Sequence, residues 1–274
     1  MDGAIELIDQ TLLPQNVVVL RITDVAELID AIQRLAVRGA PALGVAGALG
    51  VALIAQGERD ETRLREDAHR LRGARPTAVN LSWGVDRALD ALGGGSEAVL
   101  EEALRIRDED IAACTSMGLY GADLIDELVP GKEKLRVVTI CNTGGLAAVE
   151  RGTALGVVQT IFERGRLEEA YPLETRPLLQ GARLTAWELT QMGAPFRLIV
   201  DSAGPFMLSR GIADVVVIGA DRIAANGDTA NKIGSFSLAL AAKHAGIPFL
   251  VVAPESTVDM RTQQGGDIGR RGVL

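Results

Sequence analysis

Aromatic residues make up 3% of this 274-residue chain, and it holds two cysteines and two histidines. With so few rings, the core must be built from Ala, Val, Leu and Ile, and the 47% hydrophobic and 23% charged content suits a folded chain, not a disordered one. Cys114 and Cys141 are the only thiols and form no CxxC pair. A disulfide scaffold and a cysteine zinc site are thereby excluded, and a reducing compartment is expected. A cationic excess is also missing. Lys and Arg number 28 against 36 Asp and Glu, a formal net charge of -8, the wrong sign for binding nucleic acid through its phosphates. No HExxH, Walker A or GxGxxG pattern occurs, so no metal and no nucleotide cofactor is expected. The start, Met1-Asp2-Gly3, lacks a basic stretch, so no signal peptide is expected and the cytoplasm is the expected location.

One uncharged run stands out, Ala40 to Ala55. It falls short of the roughly 20 residues of a membrane span and reads as a buried helix, with Pro41 in the first turn. Its Gly44, Gly47 and Gly50, at every third position, would admit another backbone on one face. No membrane association is expected.

The pattern divides the chain near residue 130. Residues 1–130 read as a mostly helical domain. Val17–Ile22 is a strand, and Asp24 with Glu27 forms a capping-box-like start to a helix bearing Val25, Leu28, Ile29, Ile32 and Leu35. Helices follow at Glu61–Leu71 and Ala78–Leu92, and after Gly93-Gly94-Gly95 a long one runs from Ser96 to about Leu128. In residues 131–274, short apolar runs alternate with helices. The strands are Val137–Ile140, Ala170–Leu173, Leu198–Val200, Val215–Ile218 and Phe249–Val252, and the helices Thr153–Arg164, Gly181–Met192, Gly204–Ser209 and Ile233–Ala245. Such repeated units predict an α/β fold, a Rossmann-like doubly wound parallel sheet behind the helical domain.

In such sheets ligands sit beyond the carboxyl ends of the strands, which directs attention to the loops. Cys141 opens the Cys141-Asn142-Thr143-Gly144-Gly145 turn after the first strand. It reads either as a thiol activated by backbone N–H groups or as a small apolar residue at a strand end. Asp221 follows Val215–Ile218 and reads either as a carboxyl raised by desolvation toward general-acid duty, or as a partner of Arg222 or a turn cap. Lys232 with Asn231 before a helix suits a phosphate or plain solvation. Arg38 and Arg75 each precede a helix and read as anion sites or surface residues, and Gln180 opens a helix as a partner for sugar hydroxyls. Asp228 in Asn-Gly-Asp reads as turn chemistry, Cys114 as core, and His69 and His244 as surface residues.

The stretches VRGAPALG (Val37–Gly44), RPTAVNLSW (Arg75–Trp83), CNTGGLAAVERGTALG (Cys141–Gly156), ETRPLLQGARLTAWEL (Glu174–Leu189) and GADRIAANGDTANKIG (Gly219–Gly234) occur in this order. They resemble the 5-methylthioribose-1-phosphate isomerase family, which also holds ribose-1,5-bisphosphate isomerases and regulatory subunits of a eukaryotic initiation-factor exchange complex. The resemblance runs from about Asp9 to Asp259. It implies an aldose–ketose isomerase of methionine salvage acting on a small sugar phosphate, without cofactor, as a homodimer. Cys141 and Asp221 would be the catalytic pair, and Arg38, Gly39, Ala40, Arg75, Gln180, Asn231 and Lys232 would hold the substrate. A sibling substrate, 5-deoxyribose 1-phosphate or ribose 1,5-bisphosphate, is the alternative; a non-catalytic regulatory subunit is another, against which the presence of both Cys141 and Asp221 argues. Two departures are visible. Ile140 stands where the family often has histidine, and the family continues well past Asp259, so the ending through Gln263 to Leu274 reads as a truncation or frame change, from which exposed sheet edge and apolar surface and weakened stability, dimerisation and activity are expected.

Overall fold

The computed structural model describes residues 3–57, 60–76 and 78–268; Met1 and Asp2, Thr77 of the Arg75–Trp83 motif, and residues 269–274 of the ending lie outside the described residues. The chain forms two compact units, Met1–Ala112 with Leu146–Val149, and Ala113–Gly145 with Glu150–Leu274.

In the first unit, β1 (Ile5–Ile8) pairs antiparallel with β2 (Val19–Ile22). Helix α1 (Val25–Gln33) begins where its sequence asks: the Asp24 carboxylate accepts from the N–H groups of Ala26 and Glu27 at 2.7 and 3.0 Å. The reciprocal bond departs from the expected capping box. Glu27 accepts from the N–H of Thr23, at 2.9 Å, so the box closes on the residue before the cap.

Helix α2 (Ala40–Gly57) is the uncharged run. By length and composition it could cross a membrane, but Leu43, Val45, Ala48, Val51 and Ala52 are buried in the core of the first unit. Its glycines do what their spacing predicts. A Cβ on Gly47 would lie 2.9 Å from the Leu81 carbonyl, and one on Gly50 2.5 Å from Leu71 Cδ2. The tightest approach comes from Gly84, on α4 (Val79–Asp90), where a Cβ would meet the Gly44 carbonyl oxygen at 2.0 Å. Here α3 (Glu61–Arg72) supplies Leu64, Ala68 and Leu71 to the same core. A turn at Leu92–Gly94 precedes α5 (Gly95–Leu128). On α5, Cys114 is fully buried, as expected.

The second unit is built on four parallel strands, β3 (Leu135–Thr139), β4 (Leu167–Pro172), β5 (Val215–Ile218) and a later strand, Phe249–Val251. Between β3 and β4 lies α6 (Ala154–Glu163), and α7 (Ala186–Met192) and α8 (Ala203–Ser209) precede β5. After β5 come β6 (Arg222–Ala224), β7 (Thr229–Ala230) and α9 (Ser235–Ala245); Phe249–Val251 is then β8, and β9 is Val258–Asp259. The sheet order is β4-β3-β5-β8. Both faces are covered, because alternate residues of each strand point opposite ways. Val137, Val215 and Val217 share a cluster with Leu155 and Val158 of α6, while Val138, Val216 and Ile218 share another with Leu208 of α8 and Leu238 of α9. The sheet is therefore doubly wound. The chain steps from β3 to β4 on one side and then returns to β5 on the other, which puts the topological switch point between β3 and β5.

Two sequence expectations need correction here. Leu198–Val200 is not a strand: the segment makes isolated parallel bridges, Phe196 to Ala170 and Ile199 to Leu173. Arg197 and Ile199 donate to the carbonyls of Ala170 and Pro172, but Pro172 has no N–H to return, and the ladder breaks there. The helix expected over Gly181–Met192 opens with a π-turn, Gly181–Thr185, before α7. A small sheet of order β7-β6-β9 also occupies a region that its sequence left as loops.

Replacing Gly84 by Ala forces the two helix backbones apart, an overpacking cost of roughly 3 kcal/mol, so thermal unfolding should show Tm lower by about 5–10 °C. Gly93→Ala, where no heavy atom lies within 4 Å of the added carbon, should stay within about 0.5 kcal/mol. A pH-dependent effect is expected at Asp110. This half-buried carboxyl of α5 is pushed up to about 6 by burial, against a hydrogen bond from the Val149 backbone. It binds its proton more tightly folded than unfolded, so stability falls as pH rises from about 4 to about 6. Asp110→Asn should raise stability at pH 7.5 by on the order of 1–2 kcal/mol, allowing for its partial exposure, and leave pH 4 unchanged, as urea unfolding at the two pH values would show.

Candidate functional site

The switch rule selects the carboxyl ends of β3 and β5. The first polar positions there are Cys141 and Asn142, which follow Ile140, and Asp221, which follows Gly219 and Ala220. Cys141 is 8% exposed and holds a left-handed backbone, φ 68°, that a side-chain-bearing residue rarely adopts. Hydrogen bonds fix that conformation from both sides. Its N–H donates to Thr175 Oγ1 at 2.9 Å, and its carbonyl accepts from Thr185 Oγ1 at 2.6 Å. Thr175, fully buried, is itself left-handed at φ 66°. Asp201 holds it, accepting from the N–H groups of Thr175 and Arg176 at 2.8 Å each.

From Thr175 the contacts continue. In the amide orientation that satisfies both of its ends, Gln180 donates to the Thr175 carbonyl and accepts from Lys232 Nζ, each at 3.3 Å. Gln180 is buried and Lys232 half-buried. Asn231 donates from Nδ2 to Ser235 Oγ at 3.0 Å. Asn231 and Lys232 lie four and three residues ahead of α9, which begins at Ser235 and not at Ile233 as the sequence suggested; Gly234, at φ 103°, makes the corner, and a Cβ there would strike Ile140 Cδ1 at 2.8 Å. The N–H of Asp221 donates to the Ala230 carbonyl at 2.8 Å, beside Asn231. Cys141, Gln180, Lys232, Asn231 and Asp221 thus gather at one end of the sheet.

Asp221 differs from expectation in one respect. It is exposed, not buried as its place after an apolar strand suggested; Gly219 and Ala220 carry it past the edge of the packed sheet. Its neighbour Arg222 pairs with Asp259 at 3.1 Å. Asp228 performs the expected turn chemistry: Gly265 N–H and Asn226 Nδ2 donate to it at 2.9 and 3.0 Å, and these bonds hold its carboxyl below the usual range. His69 and His244 are exposed.

The remaining candidates belong to the first unit. Arg38 and Arg75 are half-buried, each in the turn before a helix, α2 and α4 respectively. Gly39, at φ 102°, has no room for a side chain, since a Cβ would lie 2.4 Å from Ala147 Cα. Its carbonyl accepts from Leu43 N–H at 3.0 Å, in the first turn of the helix that Ala40 begins. Among the described residues no group of three or more His, Cys, Asp or Glu side chains could hold a metal ion.

Sequence reasoning passed over Thr175, Thr185, Asn142, Glu188 and Asp201. The signal available was position: Thr175 follows β4 as Cys141 follows β3. Their backbone angles and bonding partners leave no trace in residue type.

Comparison with known proteins bears on all of this. Residues 36–270 match the model of the Initiation factor 2 subunit family. A probable bifunctional methylthioribose-1-phosphate isomerase/methylthioribulose-1-phosphate dehydratase of Nocardia farcinica is 48% identical over 272 residues, covering 97% of this chain and 49% of its own, so the chain spans about half of that relative. A 5-deoxyribose 1-phosphate isomerase of Moorella thermoacetica is 46% identical over 281 residues, covering 97% of this chain and 78% of the relative. Among solved structures, 5-methylthioribose 1-phosphate isomerase from Pyrococcus horikoshii superposes with a TM-score of 0.90 at 38% identity, covering 98% of this chain and 78% of that one. With a family model matched over most of its length and relatives this similar, the chain belongs to the Initiation factor 2 subunit family.

Proposed function

We propose that this protein is an aldose–ketose isomerase that converts 5-methylthioribose 1-phosphate into 5-methylthioribulose 1-phosphate in methionine salvage. The observation that carries the reading is that Cys141 and Asp221 end the two strands flanking the switch point, with Gln180 and Lys232 bonded to one another beside them. A thiol, a carboxyl, a cation and an amide at one crevice suit acid–base work on a phosphorylated sugar.

Phosphate on the anomeric oxygen locks the sugar ring, so opening needs an acid. In this assignment Asp221 protonates the ring oxygen as its bond to C1 breaks. The C2 hydrogen then passes to C1 and the 2-hydroxyl proton leaves, which makes C2 the carbonyl and balances the proton given by Asp221. Cys141 acts on that transfer, as the base that moves the hydrogen through an enediol-like state or as a group that stabilises a direct hydride shift. For holding the sugar and its phosphate we assign Arg38, Gly39, Ala40, Arg75, Gln180, Asn231 and Lys232. No resident cofactor is needed, and we assign the enzyme to the cytoplasm as a homodimer.

A second reading has its own support. The Moorella relative, at 46% identity, is a 5-deoxyribose 1-phosphate isomerase, and the two substrates differ only at C5, remote from the chemistry.

Purified protein should be assayed under reducing conditions with both sugar phosphates and with ribose 1,5-bisphosphate. Turnover is expected with the first, and the ratio of kcat/KM values ranks the readings; conversion of none would end the enzymatic assignment. Cys141→Ser and Asp221→Asn should each lower kcat by at least about 1,000-fold with an unchanged circular dichroism spectrum, whereas Lys232→Ala should mainly raise KM. Full turnover by Asp221→Asn would remove it from the acid role.

A further inference from the structure

Beneath the Cys141–Gly145 loop lies a buried polar group that the chemistry above leaves unused. Glu188, on α7, is 7% exposed, and Oε1 of its carboxylate accepts from Asn142 Nδ2 at 2.6 Å. Asn142 is 3% exposed, and its Nδ2 also lies 3.4 Å from Thr185 Oγ1, the hydroxyl that donates to the Cys141 carbonyl. Thr185 and Glu188 are three residues apart, spanning the end of the π-turn and the start of α7, so both reach the same side of the loop. The loop's own sequence accommodates them. A Cβ on Gly144 would lie 2.3 Å from Glu188 Oε2, so only glycine at this place lets the carboxylate lie against the loop backbone.

Burying a carboxylate is expensive, and a helix residue with no task beyond packing is served by leucine or methionine at less cost. A left-handed, side-chain-bearing residue such as Cys141 persists only where its surroundings over-determine it. We propose that Glu188 is a positioning residue for the isomerase reaction: acting as an acceptor through Asn142, with Thr185 beside it, it fixes the left-handed backbone of Cys141 and so the direction in which the thiol points. Glu188 touches neither the thiol nor the substrate in this role. The idea rests on the isomerase reading for its effect on turnover, but its effect on the thiol stands apart from any activity.

Two measurements test it on the full chain. One is kcat and KM for 5-methylthioribose 1-phosphate; the other is the rate at which iodoacetamide alkylates Cys141, followed by mass spectrometry of the peptide that carries it. Glu188→Ala should lower kcat at least tenfold with KM within threefold, and should raise the alkylation rate at least fivefold as the loop loosens around a thiol now shielded. Glu188→Gln keeps an oxygen facing Asn142 and should stay within threefold of the parent in both. A folded Glu188→Ala variant with the parent's alkylation rate overturns the proposal. Should that variant fail to fold, the pair Asn142 and Glu188 decides: Asn142→Asp sets two carboxylates together and should disturb the loop, and adding Glu188→Gln, which reverses donor and acceptor, should restore the alkylation rate to within threefold. Absence of that rescue overturns the proposal too. If the parent protein turns over none of the sugar phosphates, the isomerase reading fails while the alkylation rates still decide the role of Glu188.

Discussion

The parallel pairing of β3 with β4 on one side and β5 on the other is the constraint from which the second unit follows. A strand in that position is covered above and below and paired at both edges, so it is built mainly of apolar residues, and Val137, Val138 and Ile140 are fully buried. The first residues able to do chemistry are those just past its end. The same holds for β5, whose four residues are all buried. Because the chain reverses direction across the sheet between these two strands, their ends are not closed over by a single crossover. Cys141 and Asp221 stand at the same end of the sheet for this reason.

Holding the crevice in shape costs backbone strain. Cys141 and Thr175 are both left-handed without being glycine, a conformation that costs of order 1–3 kcal/mol per residue. The compensation is visible in the hydrogen bonds: Thr175 Oγ1 accepts from Cys141 and donates to the Leu173 carbonyl at 2.9 Å, while Asp201 takes the N–H groups of Thr175 and Arg176. Each buried hydrogen bond of this sort contributes about 1 kcal/mol net, and leaving a partner unsatisfied would cost more. Close backbone approaches complete the frame. A Cβ on Gly181 would lie 1.7 Å from the Leu173 carbonyl, and one on Gly152 2.2 Å from that of Thr143.

Much of this was legible in residue order, and the boundary of legibility has a physical meaning. Helix α2 could be read because an uncharged run with a glycine every third residue permits few alternatives to a buried helix packed backbone to backbone. Strand β5 could be read because burial on both faces leaves an unbroken apolar run, and β3, β4 and β8 by the shorter apolar runs within or beside them. Leu198–Val200 offered the same signal and failed, since an N–H missing from another segment, at Pro172, interrupts its ladder. The small sheet β7-β6-β9 was invisible because strands of two or three residues have no period to detect. At the site, the motifs marked Cys141, Gln180, Asn231 and Lys232. Nothing in them revealed that Cys141 would be left-handed, that Thr175 would bond it, or that Asp221 would stand in solvent. Those properties arise from contacts between segments more than thirty residues apart, as the bond from Cys141 to Thr175 shows.

Charge supplies the last link. An overall charge of -8 would repel the sugar phosphate proposed as substrate at long range, but the repulsion is screened within about 8–10 Å at physiological ionic strength, so affinity for a single phosphate depends on the nearest cations. In the proposed assignment Lys232 is one of these, and its ammonium is held by the Gln180 oxygen at 3.3 Å. A neutral amide leaves the full positive charge of the lysine available, where a carboxylate in the same place would cancel it. Gln180 is in turn anchored to the Thr175 carbonyl, so the cation is oriented by the residue whose hydroxyl bonds the Cys141 N–H. The proposed phosphate cation and the thiol therefore share one buried support, and a disturbance at Thr175 would reach both.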